Sequence, residues 1–175
     1  GAIDEALKAK TDEIESRTDL TDEEKIVAKL DAKAKADAAK EAIDKATTDA
    51  EVNQAQSTGT IELKAIDPQP VAKSAAKQAI DEALKAKTAE IDARTDLTDE
   101  EKTAAKAEAK AKADAAKEAI DKATTNAAVA QSKSTGITEV KAVNPDAVAK
   151  TEANKAIDCF LSRWLSFRFW VYRFN

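Results

Sequence analysis

Ile3, Ile80 and Ile157 follow one another at a spacing of 77 residues, and long blocks around them recur unchanged. Ala2–Thr11 returns as Ala79–Thr88, Thr18–Lys25 as Thr95–Lys102, and Ala32–Thr48 as Ala109–Thr125. Gly59 answers Gly136, and Pro68 answers Pro145. A period this long restricts the chain to a tandem array, in which each unit is one helical module leaning on its neighbours. The 175 residues hold one complete unit between two incomplete ones. The boundaries predicted are a first repeat at 1–66, a complete second repeat at 67–143, the start of a third at 144–158, and a tail at 159–175.

Punctuation divides each unit into three helices. Asp67-Pro68 and Asn144-Pro145 read as N-cap followed by N1 proline. The helix from Pro68 is predicted to run to about Arg94, with Ala76, Ile80, Leu84 and Ile91 on its apolar stripe. Thr21 with Glu24, Thr98 with Glu101, and Thr48 with Glu51 have the spacing of capping boxes. The second helix of the first unit runs to about Ala46 with a stripe of Ala32, Ala36, Ala39, Ile43 and Ala46. The third places Val52, Gln56, Gly59, Leu63 and Ile66 on one face. Gly59 either admits a close neighbour or splits the helix, and one continuous helix is the expectation. The fold class predicted is therefore all-α: tandem antiparallel three-helix bundles stacked end to end.

Alanine buries little apolar area, so the core is thin. Helix propensity offsets this, as do acid-first i, i+4 pairs such as Asp4–Lys8, Glu41–Lys45, Asp81–Lys85 and Glu118–Lys122. Ile26, Val27 and Leu30 become Thr103, Ala104 and Ala107 in the second copy, which predicts a less stable second bundle.

Chemistry is sparse. Histidine is absent, Cys159 is the one cysteine, and no phosphate-loop, dinucleotide or zinc-protease pattern occurs. No catalytic, cofactor-binding or metal-ligating residue is predicted, and the protein is read as a non-enzyme. The acids Asp19, Asp22, Glu23 and Glu24 lack the spacing of a calcium loop and are explained by capping and the helix dipole. The lysine run from Lys29 to Lys45 is interleaved with acids and reads as a solvated helix face. The net charge is −5, or about −8 without the three arginines of the tail. That balance argues against nucleic acid as a partner.

All seven aromatic residues lie between Phe160 and Phe174. By analogy with Glu82–Lys87 the third unit should continue EALKAK after Asp158, and it reads CFLSRWLSFRFWVYRFN instead. The segment is too short to span a bilayer. Its arginines, five residues apart, are read as scattered around a helix, a poor design for a surface anchor. The preferred reading is a frame or assembly error, leaving an exposed, aggregation-prone end.

TDLTDEEK after an Ala-Ile-Asp helix, the following AKEAIDKATT, and a Gly-containing third helix ending in Ile-Asp-Pro or Val-Asn-Pro resemble a known repeat. It is the helical domain-of-unknown-function repeat of staphylococcal and streptococcal wall-anchored surface proteins, related to the FIVAR and GA modules of giant extracellular-matrix-binding proteins. The resemblance covers residues 1–158. It implies a secreted, cell-wall-anchored protein in which the repeats form a stalk. Partners implied are neighbouring repeats of the same chain and, in the alternative adhesin reading, a host matrix or plasma protein bound weakly and multivalently. No membrane span is expected. The lack of an initiator Met and signal peptide reads as a piece of a longer protein.

Overall fold

Alanine and lysine dominate the repeats, and these strong helix formers are cut at intervals by Thr, Asp and Pro. The computed structural model describes residues 1–173. Among them lie seven helices and no strand: α1 Ala2–Ser16, α2 Asp22–Lys45, α3 Asp49–Lys64, α4 Val71–Asp92, α5 Asp99–Lys122, α6 Asn126–Ala142 and α7 Val148–Arg173. Helices α1, α2 and α3 all pack on one another. Lys40 of α2 pairs with Asp4 of α1, and Lys29 with Glu15, so the end of α2 lies by the start of α1. Lys10 of α1 donates to the carbonyl of Lys64, which ends α3, and to that of Ile66 just beyond it. Hence α1 and α3 run parallel and α2 runs against both.

The core of this bundle is Ile3, Ile14, Leu20, Leu63 and Ile66 around an alanine seam of Ala28, Ala32, Ala36 and Ala39. Helix α3 is unbroken through Gly59, which is buried. A Cβ placed there would fall inside contact distance of the Ala39 Cβ and come to 3.0 Å from Ile3 Cδ1. Close approach is thus the role of this glycine. Helix α6 likewise continues through Gly136. Gln56, expected on the buried face, is exposed, and Ala55 takes the inward place.

The sequence misplaces three features. Helices α4 and α7 begin at Val71 and Val148, three residues past the prolines expected to start them. In α4 the cause is the second proline, Pro70, which disfavours helical backbone at Gln69. Ile26, Val27 and Leu30 are 54, 67 and 62% exposed, because alanine, not these larger residues, faces the core of α2. Their replacement in the second copy therefore removes no core, and it supplies no reason for a weaker second bundle. Asp4 pairs with Lys40 across helices, and Lys8 pairs with Asp12 instead. Glu41–Lys45 and Glu118–Lys122 do form, each at 2.5 Å.

By compactness the chain divides into two units. One is Gly1–Ile80 with Ala116–Thr135, and the other is Asp81–Ala115 with the chain from Gly136 on. In the second unit Ile91, Leu97, Ala105, Ala109 and Val143 form the core, joined by Leu84 and Ala147. Both units contain the joint where one 77-residue repeat gives way to the next.

Candidate functional site at the repeat joint

The joint is built from the turn between the first two helices of a repeat. Thr21 N-caps α2, its hydroxyl accepting from the Glu24 N–H at 3.3 Å. Glu24 returns the bond, Oε1 accepting from the Thr21 N–H at 3.0 Å. Its other oxygen, Oε2, accepts from the Ala72 N–H at 3.3 Å, in the first turn of α4. One carboxylate thus satisfies orphan donors of two helices, the second belonging to the next repeat. The design recurs: Glu101 accepts from Thr98 N–H through Oε2 at 2.9 Å and from Ala149 N–H through Oε1 at 2.9 Å.

A buried lysine completes the first joint. Lys73 is 3% exposed, and its Nζ donates to Thr18 O at 2.9 Å and Asp121 O at 2.7 Å. These carbonyls belong to the α1–α2 turn and the last turn of α5. Asp22 N–H donates to Thr124 O at 2.7 Å, and Asn126 N–H donates to Glu23 Oε2 at 2.9 Å. Ile120, Ala123 and Val129 are buried, whereas their first-repeat counterparts Ile43, Ala46 and Val52 are half-buried. Lys150, the counterpart of Lys73, donates to Thr95 O at 2.6 Å.

Arg17 braces the connector. It grips Asp19 with two nitrogens at 2.7 Å each, and it donates to Pro68 O at 3.1 Å and Asp67 Oδ1 at 3.4 Å. Arg94 repeats the grip on Asp96 and reaches Asn144 Oδ1 at 3.3 Å. Asp67 and Asn144, read from sequence as caps, serve as acceptors for these arginines. The Arg17 guanidinium holds Asp19 below the usual carboxylate range, and Arg94 pulls Asp96 down to about 2. Backbone donors, first of all Ala149 N–H, lower Glu101.

Carboxylates lowered on folding stabilise the fold above their ordinary values near 3.8 for Asp and 4.5 for Glu. That stability is lost as pH falls through the folded values. Thermal melts followed by circular dichroism should show a melting temperature that declines below about pH 4.5, continuing towards pH 2. A melting temperature that keeps rising as the acids protonate would mean that relief of net negative charge outweighs these bonds.

Asp19 goes to Arg17, Glu23 to Asn126 N–H, and Glu24 to two helix starts, so capping and bracing engage these acids. No group of three or more His, Cys, Asp or Glu able to hold a metal ion occurs among the described residues. The lysine run is matched by acids: Lys29 with Glu15, Lys33 with Asp37, Lys35 with Asp31 and Lys40 with Asp4. Cys159 is an exposed thiol on α7. Sequence reasoning missed the buried lysines Lys10, Lys73 and Lys87. Their signal was available: each sits at helical spacing among stripe positions, as Lys10 does between Ile3 and Ile14.

Residues 1–71 and again 72–148 match the family described as Domain of Unknown Function (DUF1542). The chain belongs to the DUF1542 family. The DUF1542 boundaries fall at the start of α4 and of α7, where the carboxylates of Glu24 and Glu101 bridge. The chain is also 30% identical over 159 residues to the "Extracellular matrix-binding protein ebh" of Staphylococcus aureus (strain MW2). That stretch is 90% of this chain and 2% of the relative, so these DUF1542 repeats correspond to a small part of it. No solved structure matches the chain. Among the described residues no helix is long and apolar enough to cross a membrane.

Proposed function

We propose that these repeats act as a non-enzymatic stalk of a cell-surface protein, anchored in the cell wall and carrying a binding domain away from it. The repeats at 1–66 and 67–143, with the third starting at 144, serve as its serial units. The observation that supports this most directly is the joint. Glu24 caps a helix of the next repeat, and Lys73 ties that helix to two other segments in a buried site. Such a connection resists bending, and its Thr18, Glu24 and Lys73 recur one period on as Thr95, Glu101 and Lys150. Reach is then set by repeat number. A bundle built on helices of 24 residues is about 36 Å long at 1.5 Å per residue.

The test is small-angle scattering on chains of one, two, three and four repeats. The maximum dimension should rise by a constant step, roughly 30–40 Å per repeat. A dimension that grows ever more slowly would reject the stalk. Lys73→Ala gives a second check, since it strands buried carbonyls at a cost of about 1–3 kcal/mol. Urea unfolding of this variant should separate into two transitions where the parent shows coupled loss. A variant as stable and as cooperative as the parent would remove the joint from the argument.

A second reading is favoured by the relative's name, which assigns matrix binding to that protein. In it the repeats bind a matrix or plasma protein directly, weakly per unit and by avidity. The exposed Ile26, Val27 and Leu30 would offer apolar surface in the first repeat. Immobilised fibronectin, fibrinogen, collagen and serum albumin distinguish the two readings. Saturable binding that strengthens with repeat number supports the adhesin, and no binding by a helical chain at high micromolar concentration supports the stalk.

A further inference from the structure

The tail is the one segment whose chemistry the repeat does not absorb. Helix α7 runs without interruption from Val148 to Arg173, and none of its residues is buried. Past Asp158 the chain has three arginines and no acid. At 100° per residue most of the apolar residues of this segment gather on one side of the helix. Phe160, Trp164, Phe167 and Val171 fall at i, i+4, i+7 and i+11 on one stripe. Leu161, Leu165, Phe169 and Tyr172 form the stripe beside it. Ser162, Ser166, Arg163 and Arg173 fall on the remaining side, which they share with Cys159 and the exposed Trp170.

Polar groups within the helix are also provided for. Ser162 and Ser166 donate their hydroxyls to the carbonyls four residues back, each at 2.9 Å. Arg168, the arginine outside the polar sector, lies over the Trp164 ring at 5.2 Å from its centroid. A guanidinium on an aromatic face keeps its charge without interrupting the apolar surface.

We propose that residues 159–173 bind an anionic lipid surface, lying in the plane of the interface. Exposed tryptophan and tyrosine favour the boundary between headgroups and acyl chains, and arginines beside them meet lipid phosphates. Charge selects this occupant over a second copy of the tail. Two such helices packed together would gather six arginines with no carboxylate between them, whereas an anionic headgroup layer supplies the missing charge. This inference stands apart from the stalk reading and depends on none of its evidence.

Trp164 and Trp170 are the two tryptophans of the chain, so intrinsic fluorescence reports on the tail alone. The experiment titrates the full chain with phosphatidylcholine vesicles and with mixed phosphatidylcholine–phosphatidylglycerol vesicles. The expected result is a blue shift with co-flotation on the anionic vesicles, at least about tenfold stronger than on the neutral ones. Added salt and the variant R163Q/R168Q/R173Q should each weaken it towards the neutral level. Equal binding to both vesicles would overturn the proposal, as would an anionic titration without any shift. A blue shift that appears without lipid and grows with protein concentration would assign the surface to self-association instead.

Discussion

Gly59→Ala should destabilise the first repeat, although alanine is the better helix former. Propensity alone favours the substitution by about 1 kcal/mol. Against it stands a new methyl inside contact distance of the Ala39 Cβ, with the Ala39 Cα itself 3.7 Å away and Ile3 Cδ1 at 3.0 Å. The isoleucine tip can turn aside, but Ala39 sits on a neighbouring helix and yields only if α2 and α3 separate. Overpacking of this kind costs roughly 1–3 kcal/mol, and a larger side chain costs more. Gly59→Leu should therefore abolish cooperative unfolding of the first repeat, and Gly59→Ala should lower its urea midpoint. Removing the opposing methyl tests the cause. The double variant G59A/A39G should recover part of the loss, a coupling that a double-mutant cycle reads directly. A higher midpoint for Gly59→Ala would show that the two helices do not meet as closely as described.

Ile14→Ala and Ile26→Ala should differ sharply, though both remove the same atoms. Ile14 is 1% exposed and belongs to a core otherwise thick with alanine. Truncation there costs about 2–5 kcal/mol, since the small neighbours have little side chain with which to fill the gap. Ile26 lies on the outer face of α2, where a surface change stays within about 0.5 kcal/mol. Denaturant titration of the two variants should show a large shift of midpoint for the first and almost none for the second. Similar shifts would mean that Ile26 is covered in solution, and they would revive the expectation that the second copy, with threonine at 103, is the weaker one.

That contrast also marks where sequence was readable. The three capping boxes are local, complete within four residues, and all three are found as expected. The continuous third helix follows from surrounding propensity, which one glycine does not defeat. The inward face of α2 was only half legible. The alanine seam was visible from Ala32 onward, but Ala34, Ala38 and Ala42 of the same helix are exposed, so alanine alone does not mark the inward face. Ile26, Val27 and Leu30 therefore looked like core by size alone. The helix starts at Val71 and Val148 were hidden for a different reason. The one depends on a second proline, and in both the second helical residue, Ala72 or Ala149, is held by a glutamate 48 residues upstream, beyond any local pattern. The buried lysines were obscured by the abundance of lysine around them. As for the candidate site, the sequence showed Thr21 and Glu24 but assigned them to their own turn, and only the fold shows the bonds that leave it and the part Arg17 and Arg94 play in bracing it.

The joint has a consequence for how such genes change. Thr18 and Lys73 are 55 residues apart, as are Thr95 and Lys150, and Glu24 and Ala72 keep the same 48-residue offset as Glu101 and Ala149. Looping out one whole period would bring Thr18 opposite Lys150 and Glu24 opposite Ala149, restoring the carbonyl–lysine and carboxylate–amide pairs of the turn. Loss of any other length would leave a buried ammonium facing the wrong carbonyls. The connection thus acts as a reading-frame check at the level of the fold: a change by whole periods would keep the Thr18 and Glu24 pairings, and a change of any other length between Thr18 and Lys73 would break them.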